Sequence, residues 1–399
     1  EFEWARSRER QDDTEGALAH YAQAEEQLTE ADWRWRREIA LSVGGIHRGR
    51  GDYAKEIEVL QAAIPPAPDA EAQAGMRRAV SRAHEHWAER LLEGKKTDAA
   101  LEHYRLALAE LPAERWEERF RIAQPLGRIY LEREDSRALA GLYEGIYPDI
   151  PEEGLKAQID LFLGQIYAKW ADYANRAKKY EFARQRYHKA LRYLPNDQWE
   201  LRIAVAKQLE ALYDREEDVA GVTAVYGELV PSLDDVTLRR SYALYLGRLY
   251  WDKAKDAEQA RQWLISLETG GDDPVSLEAG FILAEIALAN DNSSGAQVAL
   301  EDLVQRNLNG SAWYVPVHYQ LAVLHHEADR LDQALEHYRL VAGVKSKEAR
   351  KLYPKSIAHS KQQVREIEAY LRVRGGDAGR EIDAPGFQRK PPVPGRKNF

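Results

Sequence analysis

The chain has no cysteine in its 399 residues. Disulfides and thiolate metal sites are therefore excluded, and the reading leans toward an exported protein, where free thiols are a liability. No apolar run reaches the length of a membrane span. Runs of β-branched residues are scarce and no convincing strand pattern occurs, whereas Ala, Leu, Glu and Arg dominate. Nucleophile and nucleotide signatures are missing too: there is no G-x-S-x-G, no P-loop, no GxGxxG opening a helix and no HExxH. Residues 1–20 hold no signal-peptide core. The chain opens within helix-like sequence, Glu3-Trp4-Ala5-Arg6, without an initiator Met, and reads as a mature form or an excised fragment.

What is present is a helix-pair pattern returning roughly every 34–40 residues. One copy reads Trp87-Ala88, Leu91, Ala100, Tyr104, Ala107, Pro112; another Leu126-Gly127, Tyr130, Tyr143, Ile146, Pro151. A third reads Trp170-Ala171, Ala174, Tyr180, Ala183, Tyr187, Ala190, Pro195. Leu246-Gly247, Tyr250, Ala260, Leu264, Leu267 and Leu321-Ala322, Ala334, Tyr338 continue the series. Weaker copies contain Val43-Gly44 with Tyr53 and Leu60, Leu209 with Tyr213, Tyr226 and Leu229, and Leu283-Ala284 with Ala296 and Leu300. Each first helix carries a large residue, then Gly or Ala, which lets the second helix approach. In each second helix Ala, a Tyr or Leu four later and Ala three later share one face. No pair can bury its apolar face alone, so stacking must supply the core.

Over about residues 10–343 this resembles the tetratricopeptide (TPR) pattern, W-x2-L-G-x2-Y…A-x3-F…P. The resemblance implies an all-α, right-handed α-solenoid of about eight helix pairs. The expected organisation is one superhelical solenoid over residues 1–373, with a capping helix at 347–373, and a disordered, basic, Pro/Gly-rich tail at 374–399. Residues 3–28 read as a partial first unit. Residues 153–178 read as one unusually long helix, because Leu163-Gly164 and Trp170-Ala171 both fit the first-helix pattern two turns apart. Pro125 predicts a kink or a shifted helix start. Residues 270–274 and 290–295 read as turns.

The net charge is −9. Residues 345–399 hold fourteen Lys/Arg against six Asp/Glu, so the remainder is near −17. Acidic repeats argue against nucleic acid as a partner. The basic tail suggests a competitor that folds back on the acidic repeats.

In TPR proteins the first helices line a concave groove that takes a partner peptide or helix. Counting from the small residue of each copy, the resemblance places Arg82, Glu85, Arg121, Gln124, Arg128, Gln165, Lys207, Arg248, Trp251, Phe281, Glu285 and Tyr319 along it, with Glu89, Lys169 and His326 nearby. The cations suit carboxylates; Trp251, Phe281 and Tyr319 suit an apolar anchor or a sugar ring. The Lys/Asn/Asn/Lys/Arg set that clamps chaperone tails in TPR cochaperones is not found. Trp87 and Trp170 read as core. Trp33, Trp35, Trp116, Trp199 and Trp313 read as covers over the junction with the preceding repeat. His318 and His325 fall where packed residues are expected, His326 points elsewhere on the helix, and His84 and His86 lie on different helix faces, so no metal or cofactor is assigned.

The reading is therefore a non-enzymatic protein–protein interaction scaffold that binds a protein or peptide partner, with no transmembrane segment and its oligomeric state open. The alternative is a periplasmic or envelope assembly component, or one for polysaccharide export, using the same surface. A third class, an enzyme on a helical-repeat scaffold, would need convergent titratable groups that the sequence does not show.

Overall fold

A computed structural model describes residues 1–268, 271–306 and 308–376, and among these every regular element is helical. The chain divides into two compact units, Glu1–Pro195 and Asn196–Phe399. Each is an all-α solenoid of TPR-like helix pairs.

The first unit holds five pairs: α1 (Phe2–Glu9) with α2 (Thr14–Glu26), α3 (Trp33–Gly49) with α4 (Tyr53–Ala62), α5 (Ala70–Glu93) with α6 (Thr97–Ala109), α7 (Trp116–Glu132) with α8 (Ser136–Glu144), and α9 (Glu153–Arg176) with α10 (Tyr180–Tyr193). The second holds four: α11 (Trp199–Asp214) with α12 (Val219–Leu229), α13 (Val236–Leu249) with α14 (Ala257–Ile265), α15 (Pro274–Ala289) with α16 (Ser293–Gln305), and α17 (Tyr314–Glu327) with α18 (Leu331–Ala342). Then come α19 (Lys347–Leu352) and α20 (Pro354–Gly376). Within each unit a second helix packs on its own first helix and on the first helix of the following pair, and α20 closes over α17 and α18.

One turn chemistry joins all nine pairs. The residues at the turns are Asp12, Gly51, Lys95, Glu134, Lys178, Glu217, Lys255, Asp291 and Asp329, every one with positive φ. Only Gly51 is a glycine; the others hold φ at 55–59°, a left-handed state that costs an L-residue about 1–2 kcal/mol. The following amide repays part of this by donating to the carbonyl five residues back, as in Asp52 to His47 (2.9 Å), Lys96 to Leu91 (2.8 Å) and Arg330 to His325 (2.8 Å), the Schellman closure of a helix. Asp13, Asp52, Asp135, Asp218, Asp256 or Asn292 then caps the next helix through its side chain. The α13 turn departs from the rest. There the amide of Asp256 reaches back six residues to Tyr250 (3.0 Å), and residues 250–254 form a π-helical turn.

The turn residues also expose a longer period. In the first unit they alternate in spacing, and the alternation adds to an offset of 83 positions: Asp12 to Lys95, Gly51 to Glu134, Lys95 to Lys178. With this offset α3 falls on α7 and α5 falls on α9, start and end alike. Residues 33–112 and 116–195 are thus two copies of one four-helix block. Among the residues that stay the same is a core set, all buried: Ile39/Ile122, Ala40/Ala123, Ile46/Ile129, Ala88/Ala171, Ala100/Ala183, Tyr104/Tyr187, Ala107/Ala190 and Leu111/Leu194.

The long helix expected at 153–178 is α9, and its counterpart α5 is equally long. Pro125 does not shift a helix start; α7 runs through it from Trp116. Its ring removes the amide that Arg121's carbonyl would accept. The expected cap at 347–373 is two helices rather than one, because Pro354, which has no N–H to lose at a first helical position, opens α20 after Tyr353. Helix α20 extends through Gly376; the remainder of the expected 374–399 tail, and the 269–270 end of the 270–274 turn, lie outside the described residues. No described helix is long and apolar enough to cross a membrane.

Candidate functional site

The first-helix face of the first unit is built by α5, α7 and α9. On α7, Arg121, Gln124 and Arg128 are three and four residues apart and form one exposed stripe. Arg82 and Glu89 stand exposed on α5, and Gln165 and Lys169 on α9. Glu85, placed on this face by counting, is 6 % exposed. It is the acceptor of the Arg121 fork: Nη2 donates to Oε2 at 2.8 Å and Nη1 donates to Oε1. One turn earlier Arg78 meets Glu118 at 3.5 Å, so paired charges lace α5 to α7. The bond from Glu85 holds the Arg121 guanidinium more firmly protonated than usual. Arg121 and Glu85 are thus committed to each other. Arg82 and Arg128 make no hydrogen bond or ion pair among the described residues.

In the second unit, Lys207 on α11 and Arg248 on α13 are exposed, and Arg248 meets Glu278 of α15 at 2.9 Å. Trp251 lies half-buried in the π-helical turn, and Glu285 is half-buried on α15. Phe281 and Tyr319 correct the expectation. Phe281 is 3 % exposed and packs on Leu277, Leu303 and Trp313. Tyr319 is 2 % exposed, and its hydroxyl meets His359 Nδ1 of α20 at 3.0 Å. Burial pushes that hydroxyl up to about 12. Neither ring is available to a ligand. For Tyr319 the physical reason is α20, which covers the side of α17 that counting within the repeat left open; Phe281 is enclosed instead by α16 and Trp313, and His326, also buried, meets the Tyr338 ring of α18.

The histidines make paired contacts. His84 of α5 and His103 of α6 stand Nδ1 to Nδ1 at 3.0 Å, and His318 of α17 and His337 of α18 do the same. Both second-helix partners sit in an identical heptad, Ala-Leu-Glu-His-Tyr-Arg-Leu, at 100–106 and 334–340. Burial, then the neighbouring imidazole, pushes His84 and His318 down to about 4. No three metal-ligating side chains converge among the described residues.

Half-buried carboxylates between helices anchor tyrosyl hydroxyls. Glu144 accepts from Tyr167 (2.9 Å), Tyr193 (2.8 Å) and Lys189 (2.6 Å). Glu210 accepts from Tyr226 (2.6 Å) and Tyr245. These networks brace neighbouring helices and leave no free nucleophile.

Counting along the repeat missed one feature. A cleft of about 570 Å³ opens where α9 turns into α10, walled by Trp170, Tyr173, Tyr180 and Phe182 and edged by Lys179 and Gln185. Trp170, read as core, is half-buried on this wall. The available signal was the run of aromatics and cations in residues 170–186.

No family model matches the chain, and no curated protein does. Among solved structures, the crystal structure of yeast Tom70 is similar at 12 % identity, over 94 % of this chain and 96 % of that one, with a TM-score of 0.34. A tetratricopeptide repeat protein from Parabacteroides merdae is 14 % identical over 72 % of this chain and 97 % of its own, with a TM-score of 0.23. The TPR domain of P58(IPK) is 16 % identical over 86 % and 99 %, also at 0.23. The helix pairs and their shared turns, rather than these low scores, identify the TPR-like repeat.

Proposed function

We propose that the chain is a non-enzymatic scaffold that binds a partner peptide or helix along its first-helix faces. The observation that carries this is the contrast on α5 and α7. Arg121 is spent on Glu85, while Arg82 and Arg128 project exposed guanidinium groups with no protein partner among the described residues. A guanidinium fork suits a carboxylate bidentately. Gln124 on α7 and Gln165 on α9 add neutral donors and acceptors between the cations. In this reading a partner segment with acidic side chains lies across the face. Lys207 offers the same chemistry on α11 of the second unit, and Arg248 does so if it leaves Glu278.

The test is crosslinking of the full chain to a partner recovered with it, followed by the double variant Arg82→Glu, Arg128→Glu. Crosslinks should fall on α5, α7 and α9, and the charge reversal should weaken binding by about tenfold or more. Crosslinks confined to the second helices, or undiminished binding by the double variant, would refute the placement.

A further inference from the structure

The cleft between α9 and α10 has a counterpart 83 positions earlier, and the two have diverged in one direction. Trp170 corresponds to Trp87. Around it, Tyr173, Tyr180 and Phe182 stand where the first copy has Arg90, Thr97 and Ala99. In the first copy Trp87, half-buried like Trp170, stacks on His103 at 3.9 Å and on Tyr53 at 6.2 Å. In the second, Ser136 replaces Tyr53, and the cleft is open. Charge diverges with it. Residues 93–109 hold three Lys/Arg and three Asp/Glu, a net of zero; residues 176–192 hold seven Lys/Arg against Glu181 alone, a net of +6. This island sits in a chain whose net charge is −9.

The ring arrangement selects among ligands. The Arg186 guanidinium lies over both Trp170 and Phe182 at 4.4 Å from each centroid. The ring faces that would hold a cationic ligand are thus already taken by the protein's own cation, and Lys179 at the edge repels a second one. That leaves Tyr173, which is 68 % exposed on the wall of the cleft, to meet an uncharged side chain. Lys179 edges the cleft, and Arg176 and Lys178, exposed in the same turn of chain, add positive charge beside it to meet negative charge.

We propose that the α9–α10 cleft is a peptide-docking site for a partner segment with one large apolar or aromatic side chain flanked by Asp or Glu. The apolar side chain enters between Tyr173 and Tyr180, and its acidic neighbours lie against Arg176, Lys178 and Lys179. The volume suits one such anchor with its backbone, and a buried anchor inside a charged rim is the usual energetic centre of an interface. Stacked bases on a basic surface would use the same groups, but a polyanion needs a continuous basic track, and here the exposed Asp172 and Glu181 border the cleft. The site is separate from Arg82 and Arg128 and stands whether or not that face binds.

Fluorescence anisotropy on the full chain tests this with labelled acidic peptides of about twelve residues carrying a central Trp, Leu or Ala, a basic peptide with the same Trp, and an oligothymidylate of matched charge. The acidic Trp and Leu peptides should bind, the Ala peptide about tenfold more weakly, and the basic peptide not at all. Raising salt from about 0.05 to about 0.3 M should weaken binding. Tyr173→Ala and Lys179→Glu, both at exposed positions where folding is safe, should each weaken the Trp peptide about tenfold, while Arg90→Ala in the first copy leaves it unchanged. The proposal is overturned if none of the acidic peptides binds, if the Ala peptide binds as well as the Trp peptide, if Tyr173→Ala changes nothing, or if the oligothymidylate binds more tightly.

Discussion

The two 83-offset copies in the first unit share a backbone plan and differ in how they finish it. Where the first copy has Gln61, His84, Leu106 and Glu110, the second has Glu144, Tyr167, Lys189 and Tyr193. The first answers its buried polar position with an imidazole pair, His84 and His103. The second answers it with a carboxylate that accepts from a lysine and two tyrosines. Against the shared Trp, the first copy stacks the His103 imidazole and the second lays the Arg186 guanidinium beside an aromatic cleft. Apolar packing therefore sets where helices go, while the polar residues between and upon them are free to take up separate tasks.

The sharpest way to break the equivalence is at the small position of the first helix. Gly164 stands where the first copy has Ser81. A Cβ on Gly164 would lie 2.6 Å from Leu194 Cδ2 and 3.1 Å from the Leu194 amide, so α10 must move. Ser81 already carries a Cβ, and its hydroxyl donates to the Ala107 carbonyl at 2.8 Å. Overpacking of this kind costs about 1–3 kcal/mol, against a helix-propensity gain of at most about 1 kcal/mol. Gly164→Ala should lower the urea midpoint, with a net loss of unfolding free energy of up to about 2 kcal/mol where the full propensity gain offsets the overpacking. An unchanged or higher midpoint would mean that α9 and α10 are no closer than α5 and α6.

A smaller effect is expected from the carboxylate that only the second copy has. Burial raises the Glu144 pKa, but Lys189 and the two hydroxyls outweigh it, and the net direction is down. Tyr167, Tyr193 and Lys189 all donate to Oε1, so Glu144→Gln can keep the acceptor oxygen but removes the charge that faces Lys189, for a loss of up to about 1 kcal/mol at this partly exposed site. Gln61→Ala, at the corresponding exposed position, should stay within about 0.5 kcal/mol. Equal losses in the two variants would remove the distinction between the copies.

The helix pairs were legible because their signal is local: Gly or Ala after a large residue, and Ala-x3-Tyr in the second helix, recur within each repeat. The 83-residue period was not, because the identities that carry it are spread thinly over core positions while the surface between them changes. The misplaced groove residues share another cause. Phe281 and Tyr319 have the register of exposed first-helix positions, but tertiary neighbours decide their burial, and for Tyr319 the neighbour is α20, some forty residues on. For Glu85 the spacing does not reveal that Arg121 occupies it. The α9–α10 cleft escaped because its residues were read one helix at a time.

The mildest contrast is a response to acid. The folded His84 is pushed down to about 4 by burial and by His103, whereas a free imidazole titrates near 6.5. Between those limits the unfolded chain binds more protons, so stability is whole above about pH 6.5 and falls as the pH drops toward 4. The second copy has Tyr167 at this position, which carries no charge anywhere in that window. His84→Gln should therefore flatten the fall in urea midpoint between about pH 7 and pH 5, and Tyr167→Phe should lower the midpoint without changing its slope. The flattening will be partial, because His318, His325, His337 and His359 are also held down by burial and keep titrating. If His84→Gln keeps the full acid slope, the imidazole pair is already protonated in the folded chain, and the two copies do not differ in their response to acid.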